Sequence, residues 1–296
     1  MFLCIDIGGT NIKSCLTDTE GNCLDRMTVR TPEMYEEILE VIGSVADKID
    51  SFDACAVAVP GTCAPETGEV LFCPNLVCLT GQNLKNDLEK SLEKPVFIEN
   101  DANLAALGEY YFVEKGNIKN MIFLTIGTGL GGGAVLNGEL LTSDISLFEA
   151  GHINLTPDGR QCGCGKRGCL ETYASIGGII QTYRSLSNGK EAENVNVIYN
   201  AAKAGDKVAA LTFEVFGGYL GVGMASLANI LVPEKIKIGG GISEMSDIFL
   251  PHTLKIFSKN IYPAYKNRVS IELSTLKNTA GLSGASALCK TKLSNI

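Results

Sequence analysis

The 296-residue chain has no cluster of lysine or arginine: 25 basic residues stand against 33 acidic ones, a net charge of −8. Nothing in it can collect phosphates along a duplex, which argues against nucleic acid as a partner. It lacks a short-period repeat and any low-complexity tract, so solenoid and disordered architectures fall away. No G-x-x-x-x-G-K-[ST] run occurs, which excludes a P-loop. Met1 runs straight into the strand-like FLCIDIG. The expectation is a cytoplasmic chain with neither a secretory leader nor an N-terminal DNA-binding module. Charge is also missing from Val215 to Val232, a stretch just long enough to cross a bilayer. That stretch contains Gly217, Gly218, Gly221, Gly223, Ser226 and Asn229 and has no basic flank. We read it as a buried helix whose small residues permit close packing, not as a membrane span.

What is present describes an ordinary globular protein, 45% hydrophobic and 20% charged. Its length favours two lobes. FLCIDIGGTNIKSCLTDTEGNCLDRMTVRT reads as consecutive antiparallel strands joined by glycine turns. Thr31-Pro32 reads as an N-cap with proline at the first helical position. Tyr35, Ile38, Leu39, Ile42 and Val45 then recur at helical spacing through about Asp50. DACAVAVPG is a short buried strand, and PVFIENDAN is a strand running into a helix completed by residues 104–114. The second half restarts the pattern with MIFLTIGTGLGGGAVLNGELL and KIKIGGGIS. The predicted architecture is α/β: residues 1–116 form an N-terminal lobe and residues 117–277 a C-terminal lobe around a cleft. Residues 278–296 form a helix crossing back to the first lobe.

Three glycine turns follow apolar strands: Gly8-Gly9-Thr10-Asn11, Gly127-Thr128-Gly129 and Gly239-Gly240-Gly241. Glycine lets backbone amides approach a phosphate, and Thr10, Asn11 and Thr128 add side-chain donors. Gly127 to Gly132 also spells G-x-G-x-x-G, but a strand-like GAVLNGELL follows where a dinucleotide site needs a helix N-terminus.

The run E-x-x-H-x9-C-x-C-x4-C-x-E, from Glu149 to Glu171, is the most specific pattern. His152, Cys162, Cys164 and Cys169 can close a tetrahedral zinc site with no open position, so the metal reads as structural. A stapled loop would present Glu149 and Glu171 together to a polar ligand. The other cysteines (Cys4, Cys15, Cys23, Cys55, Cys63, Cys73, Cys78 and Cys289) read as small buried apolar residues, and no disulfide framework is expected. Asp101, at a strand-to-helix junction, reads locally as an N-cap. Beside several phosphate-type loops, it also reads as a base for an attacking hydroxyl.

DIGGTNIK, ENDANLAALGE, TIGTGLGGG, E-x-G-H with CGCGKRGCLE, and IGGGIS occur in the order of the ROK family of sugar kinases and repressors, which the chain resembles over nearly its whole length. The resemblance implies the actin-like ATPase (ribonuclease H-like) fold, with ATP, Mg²⁺ and a sugar as ligands and a homodimer as the assembly. By position, Asp101 resembles the catalytic base acting on a sugar hydroxyl, and the resemblance implies the 6-hydroxyl. Asn100, Glu149, His152 and Glu171 resemble the sugar contacts. Asp6, Gly8, Gly9, Thr10, Asn11 and Lys13 resemble the Mg²⁺ and phosphate side, with Gly127, Thr128 and Gly129. Gly239, Gly240 and Gly241 match the adenosine-side loop.

Departures border the implied sugar pocket. Thr142 to Phe148 holds no glycine, position 150 is Ala, Pro60-Gly61-Thr62-Cys63-Ala64 breaks the P-G-x-x-D pattern, and Gln82 replaces a common Trp. The expected function is therefore phosphorylation of glucose, mannose or an N-acetylated hexosamine. The alternative is a sugar-responsive regulator or binder without turnover.

Overall fold

The structure is a computed structural model that describes residues 1–294. The chain divides into two compact units. The first comprises Met1–Ile118, Gly133–Phe148 and the chain from Thr275; the second comprises Lys119–Gly132 and Glu149–Ser274.

In the first unit, β1 (Phe2–Ile7), β2 (Asn11–Thr17) and β3 (Cys23–Arg30) form an antiparallel meander, as the glycine turns predict. After α1 (Tyr35–Ala46), β4 (Ala54–Val59) pairs parallel with β1. A short hairpin, β5 (Thr62–Ala64) and β6 (Glu69–Phe72), precedes α2 (Leu84–Leu92). Next, β7 (Val96–Asn100) pairs parallel with β4 and leads into α3 (Asp101–Gly108). The sheet order is β3-β2-β1-β4-β7. Strand periodicity of two divides the core between the faces. Leu3, Ile5, Ile7, Val57 and Val59 pack with Ile38, Ile42, Leu84 and Leu88. Cys4, Ala54, Ala56 and Ala58 pack with Leu104, Leu107, Leu282 and Ala285 on the other face.

Local details differ from the sequence reading. The cap of α1 is Met34, without a side-chain bond, and the helix ends at Ala46. Thr31 braces the first glycine turn instead, its amide donating to Thr10 O (2.9 Å) and its hydroxyl to Gly8 O (2.6 Å). The helix expected through residue 114 ends as α-helix at Gly108, and Glu109–Glu114 continues as a wider π-helical turn with Glu109 and Glu114 buried. A Cys15–Cys23 disulfide corrects the reading of those two thiols as plain core residues; Cys23 is exposed, and the β2–β3 pairing brings their Cα atoms to 5.9 Å.

A second sheet starts at β8 (Met121–Ile126), which leads through a glycine turn to β9 (Leu130–Leu136); from Gly133 on, β9 and then β10 (Glu139–Leu140) are counted with the first unit. Helices α4 (Ile176–Leu186), α5 (Val195–Lys203) and α6 (Lys207–Leu231) come next, then β11 (Lys235–Gly239), α7 (Ser246–Asn260) and β12 (Ser270–Leu273). The strand order is β10-β9-β8-β11-β12, with β8, β11 and β12 parallel. By length and composition α6 could cross a membrane, but 56% of that window is buried within the protein. The small residues admit α7: a Cβ on Gly217 would lie 3.0 Å from Phe249 O, and one on Gly221 2.7 Å from Thr253 O. At the C-terminus α8 (Ala280–Leu293) belongs to the first unit and packs on β1, β4 and α3. Positions 295 and 296 of the predicted terminal helix lie outside the described residues.

Candidate functional site

The first unit gathers its share of the predicted residues at the C-terminal ends of parallel strands, where open α/β sheets place ligands. Asp6, Ala58 and Glu99 are register partners across β1, β4 and β7, and Asn100 pairs with Val59 one step on. Two strand spacings separate Asp6 from this corner, about 10 Å. Gly8 to Asn11 forms a tight turn closed by Gly8 N donating to Asn11 O (3.0 Å), with Thr31 holding its outer side. Asp6 lies 3.7 Å from Lys13 Nζ, its register partner on β2. Burial raises the Asp6 pKa above the ordinary carboxylate value, and Lys13 opposes the rise.

The local reading of Asp101 as the cap is corrected: the cap of α3 is Asn100. Asn100 Oδ1 accepts from Ala102 N (2.9 Å) and Asn103 N (3.1 Å), and its Nδ2 donates to Gly61 O (3.1 Å). Both carbonyl lone pairs are thereby used, leaving one Nδ2 hydrogen for a ligand. Asp101 is the first helical residue, half-buried, its Oδ1 accepting from Ala102 N (2.8 Å). Two thiols border this corner. Burial and the nearby Glu99 push the Cys63 thiol up to about 12, and burial pushes Cys73 up to about 11; Asp101 adds to both.

The second unit carries the rest. Thr125 pairs with Gly239, so the turns Gly127–Gly129 and Gly239–Gly241 leave adjacent strand ends. Gly127 N donates to Gly129 O (2.9 Å), and Gly127 O accepts from Ile176 N (2.9 Å) at the head of α4. Glu171 ties this turn to the cysteine loop. Its Oε2 accepts from Leu130 N (2.9 Å), and a Cβ at position 129 would strike that oxygen. Its Oε1 lies 3.8 Å from Cys162 Sγ. Glu149 is exposed and precedes the short turn Ala150–His152; a Cβ on Gly151 would lie 3.5 Å from Glu171 Cβ, so the two acidic turns adjoin.

Cys162, Cys164 and Cys169 converge with His152, their donor atoms all within 4.8 Å of one another. Cys162 Sγ is 3.6 Å from His152 Nδ1, and Cys164 Sγ is 3.7 Å from Cys169 Sγ. Burial pushes the Cys162 thiol up to about 12, so a thiolate there needs a cation's charge. Three sulfurs and one imidazole suit tetrahedral zinc.

Sequence reasoning missed Arg160. Its Nη1 donates to Thr172 O (2.8 Å) and Gly178 O (3.1 Å), its Nη2 to Thr182 Oγ1 (2.8 Å), and its guanidinium stacks 4.6 Å from the Tyr173 ring centroid. Partners that are carbonyls and a ring leave no charge pattern to read. Glu99 was also overlooked within ENDAN; it is buried beneath the Asn100–Asp101 corner.

The ROK family pattern matches residues 2–292. A glucokinase of Halalkalibacterium halodurans is 33% identical over 97% of this chain and 94% of its own. Among solved structures, a ROK family glucokinase from Streptomyces griseus in complex with glucose and AMPPNP aligns at 32% identity and TM-score 0.83, covering 97% of this chain and 98% of that one. A ROK family transcriptional regulator, a homologue of the E. coli MLC protein, aligns at 29% identity and TM-score 0.88, covering 99% of this chain and 78% of that one. With this match across its length and the actin-like ATPase fold, the chain belongs to the ROK family.

Proposed function

We propose that this protein is an ATP-dependent hexose kinase with Asp101 as general base. The observation that supports it most is the corner at the end of β7: Asn100 caps the helix, and Asp101 follows it at the strand ends that also carry the Gly8–Asn11 turn. The likeness to a glucokinase holding glucose and an ATP analogue supports the same reading.

Each unit carries its own set of proposed contacts. In the first, Asp101 takes the proton of the sugar hydroxyl; the hydroxyl oxygen bonds the γ-phosphorus as the bond to ADP breaks. Asn100 Nδ2 donates its remaining hydrogen to the sugar. Glycine-turn amides at Gly8–Asn11 hold phosphate oxygens. One half-buried carboxylate, Asp6, suits Mg²⁺, which is held by one or two carboxylates plus water and phosphate and would neutralise developing charge. In the second, Glu149, His152 and Glu171 meet sugar hydroxyls, and the Gly127–Gly129 and Gly239–Gly241 turns serve the nucleotide. His152, Cys162, Cys164 and Cys169 would hold zinc, which would supply a structural staple.

Glucose, mannose and N-acetylated hexosamines are the proposed substrates and the 6-hydroxyl the proposed acceptor. The likeness to a ROK regulator supports a second reading, sugar sensing without turnover. Asp101→Asn separates the readings. We predict a kcat lower by roughly 10²–10⁴-fold, the usual worth of a general base. Sugar affinity by calorimetry should stay within about threefold, since only the base is altered. Turnover at the wild-type rate in Asp101→Asn would remove the assigned role.

A further inference from the structure

We infer that Glu99 is a positioning residue, a side chain sealed beneath the corner whose acceptor oxygens fix where Asn100 and Asp101 point. The inference rests on the kinase reading for its consequence in catalysis, but its structural part stands on its own.

Glu99 is 2% exposed, too enclosed to touch a substrate. Among the described residues it has no cationic partner. Neutral donors hold it instead: Oε1 accepts from Asn100 N (2.8 Å) and Asn103 Nδ2 (3.1 Å), and Oε2 from Thr142 Oγ1 (3.2 Å). A carboxylate buried without a cation is costly unless donors converge on it. Here the convergence falls at one place, the turn from β7 into α3.

That turn has a particular need. At a helix start the cap residue's own amide lacks a partner, and a capping box supplies one from the third helical position. The third helical residue here is Asn103, whose side chain faces the other way in chemical terms: it donates to Glu99. Glu99, one residue before the cap, takes over the accepting role. It therefore holds the cap amide and the third-position side chain with a single oxygen. Asn103 Oδ1 is left buried without a hydrogen-bond partner among the described residues. Reversing that amide would set one acceptor oxygen against another, so Oε1 of Glu99 fixes its orientation.

Thr142 brings in a second segment. Residues 142 and 146 form an isolated bridge; Ser146 N donates to Cys63 O (2.7 Å), and Asn100 Nδ2 donates to Gly61 O (3.1 Å). The loop after β4, the Thr142–Ser146 segment and the β7–α3 corner are thus tied together, with Glu99 beneath them. The first two of these segments are places where the sequence departs from the common family pattern, whereas the corner keeps it. A displaced corner would leave Asp101 close to the hydroxyl yet misaimed, and misplacement of about 1 Å can cost on the order of 100-fold in rate.

The experiment compares wild type, Glu99→Ala, Glu99→Gln and Thr142→Val as full-length, zinc-loaded protein. It measures kcat, sugar KM, ADP released per sugar phosphate formed, and backbone hydrogen exchange over residues 99–104. For Glu99→Ala we expect kcat lower by about 30-fold and the ADP ratio above one, because water replaces a misaligned hydroxyl. Exchange at residues 100–103 should quicken at least about tenfold. Glu99→Gln keeps an acceptor oxygen and should return within about threefold of wild type. Thr142→Val, losing one bond, should cost about twofold in kcat and raise the ADP ratio measurably.

Loss of folded enzyme lowers every rate together and leaves the ADP ratio at one, so a reduced rate with an unchanged ratio overturns the inference. So does folded Glu99→Ala with wild-type exchange. If Glu99→Ala does not fold, Thr142→Val decides: an unchanged ratio and unchanged exchange overturn it. A wild type that phosphorylates no sugar sinks the kinase reading instead, and exchange in the variants still judges the corner.

Discussion

The Asn100–Asp101 corner and the Cys162–Cys169 loop both hold side chains proposed for the site, by opposite means. At the corner a buried strand runs into a capped helix, and every stabilising group described there is the protein's own. From Ile153 to Cys169 there is neither helix nor strand, only isolated bridges between Asn154 and Cys169 and between Gln161 and Arg167. Four metal-type donors and Arg160 do what secondary structure does at the corner. A preformed corner should persist under any ionic condition, while the loop, and Glu171 with it, should depend on a cation. The comparison is sharpest where one region can be disturbed without the other.

Within the loop, Cys164→Ser should have the largest effect. Removing one of four ligands should lower bound zinc to well below one per chain and weaken sugar binding by roughly tenfold or more, because binding and loop folding are linked. Hydrogen exchange over residues 99–104 should stay as in wild type. A zinc-free variant with unchanged sugar affinity would show that the loop needs no staple. Arg160→Met comes next. It removes donors to Thr172 O, Gly178 O and Thr182 while keeping much of the packing on Tyr173. The expected cost is roughly 2 kcal/mol of stability. Calorimetry should show the lower Tm with zinc still bound; an unchanged Tm would mean the guanidinium is dispensable.

The smallest effect concerns Asp6. Burial raises its pKa in the folded state, with Lys13 opposing, so the folded protein binds that proton more tightly than the unfolded chain does. Its ionisation therefore costs stability; the cost is present above the folded pKa and relieved as pH falls through the ordinary aspartate range. Asp6→Asn, whatever its effect on turnover, should raise Tm at neutral pH by about 2 °C in metal-free protein. The gain should disappear toward pH 3. A lower Tm at pH 7 would mean the Lys13 contact outweighs burial.

The legibility of the two regions differed for the same physical reason. The loop announced itself because its ligands are rare residue types packed into eighteen positions. The corner gave half its logic: ENDAN marked a strand-to-helix junction, but local propensity favoured Asp101 as cap when Asn100 holds that place. Glu99 was invisible because a partner, Thr142, lies 43 residues away and is an ordinary hydroxyl. Thr31-Pro32 carried a good helix-start signal, yet the two bonds to the Gly8–Asn11 turn claimed Thr31. The apolar runs of β1, β4 and α6 were readable because burial alone sets them. Contacts between distant polar groups leave no period in the sequence.

The most direct test of the central claim is sugar-dependent ADP formation from ATP and Mg²⁺ by wild-type, zinc-loaded protein. The panel should hold glucose, mannose, fructose, allose, N-acetylglucosamine, N-acetylmannosamine and a β-glucoside. The account predicts turnover with glucose, mannose or an N-acetylated hexosamine and formation of the matching sugar phosphate. Sugar binding without ADP formation across the whole panel would contradict it and leave a sensor in place of a kinase.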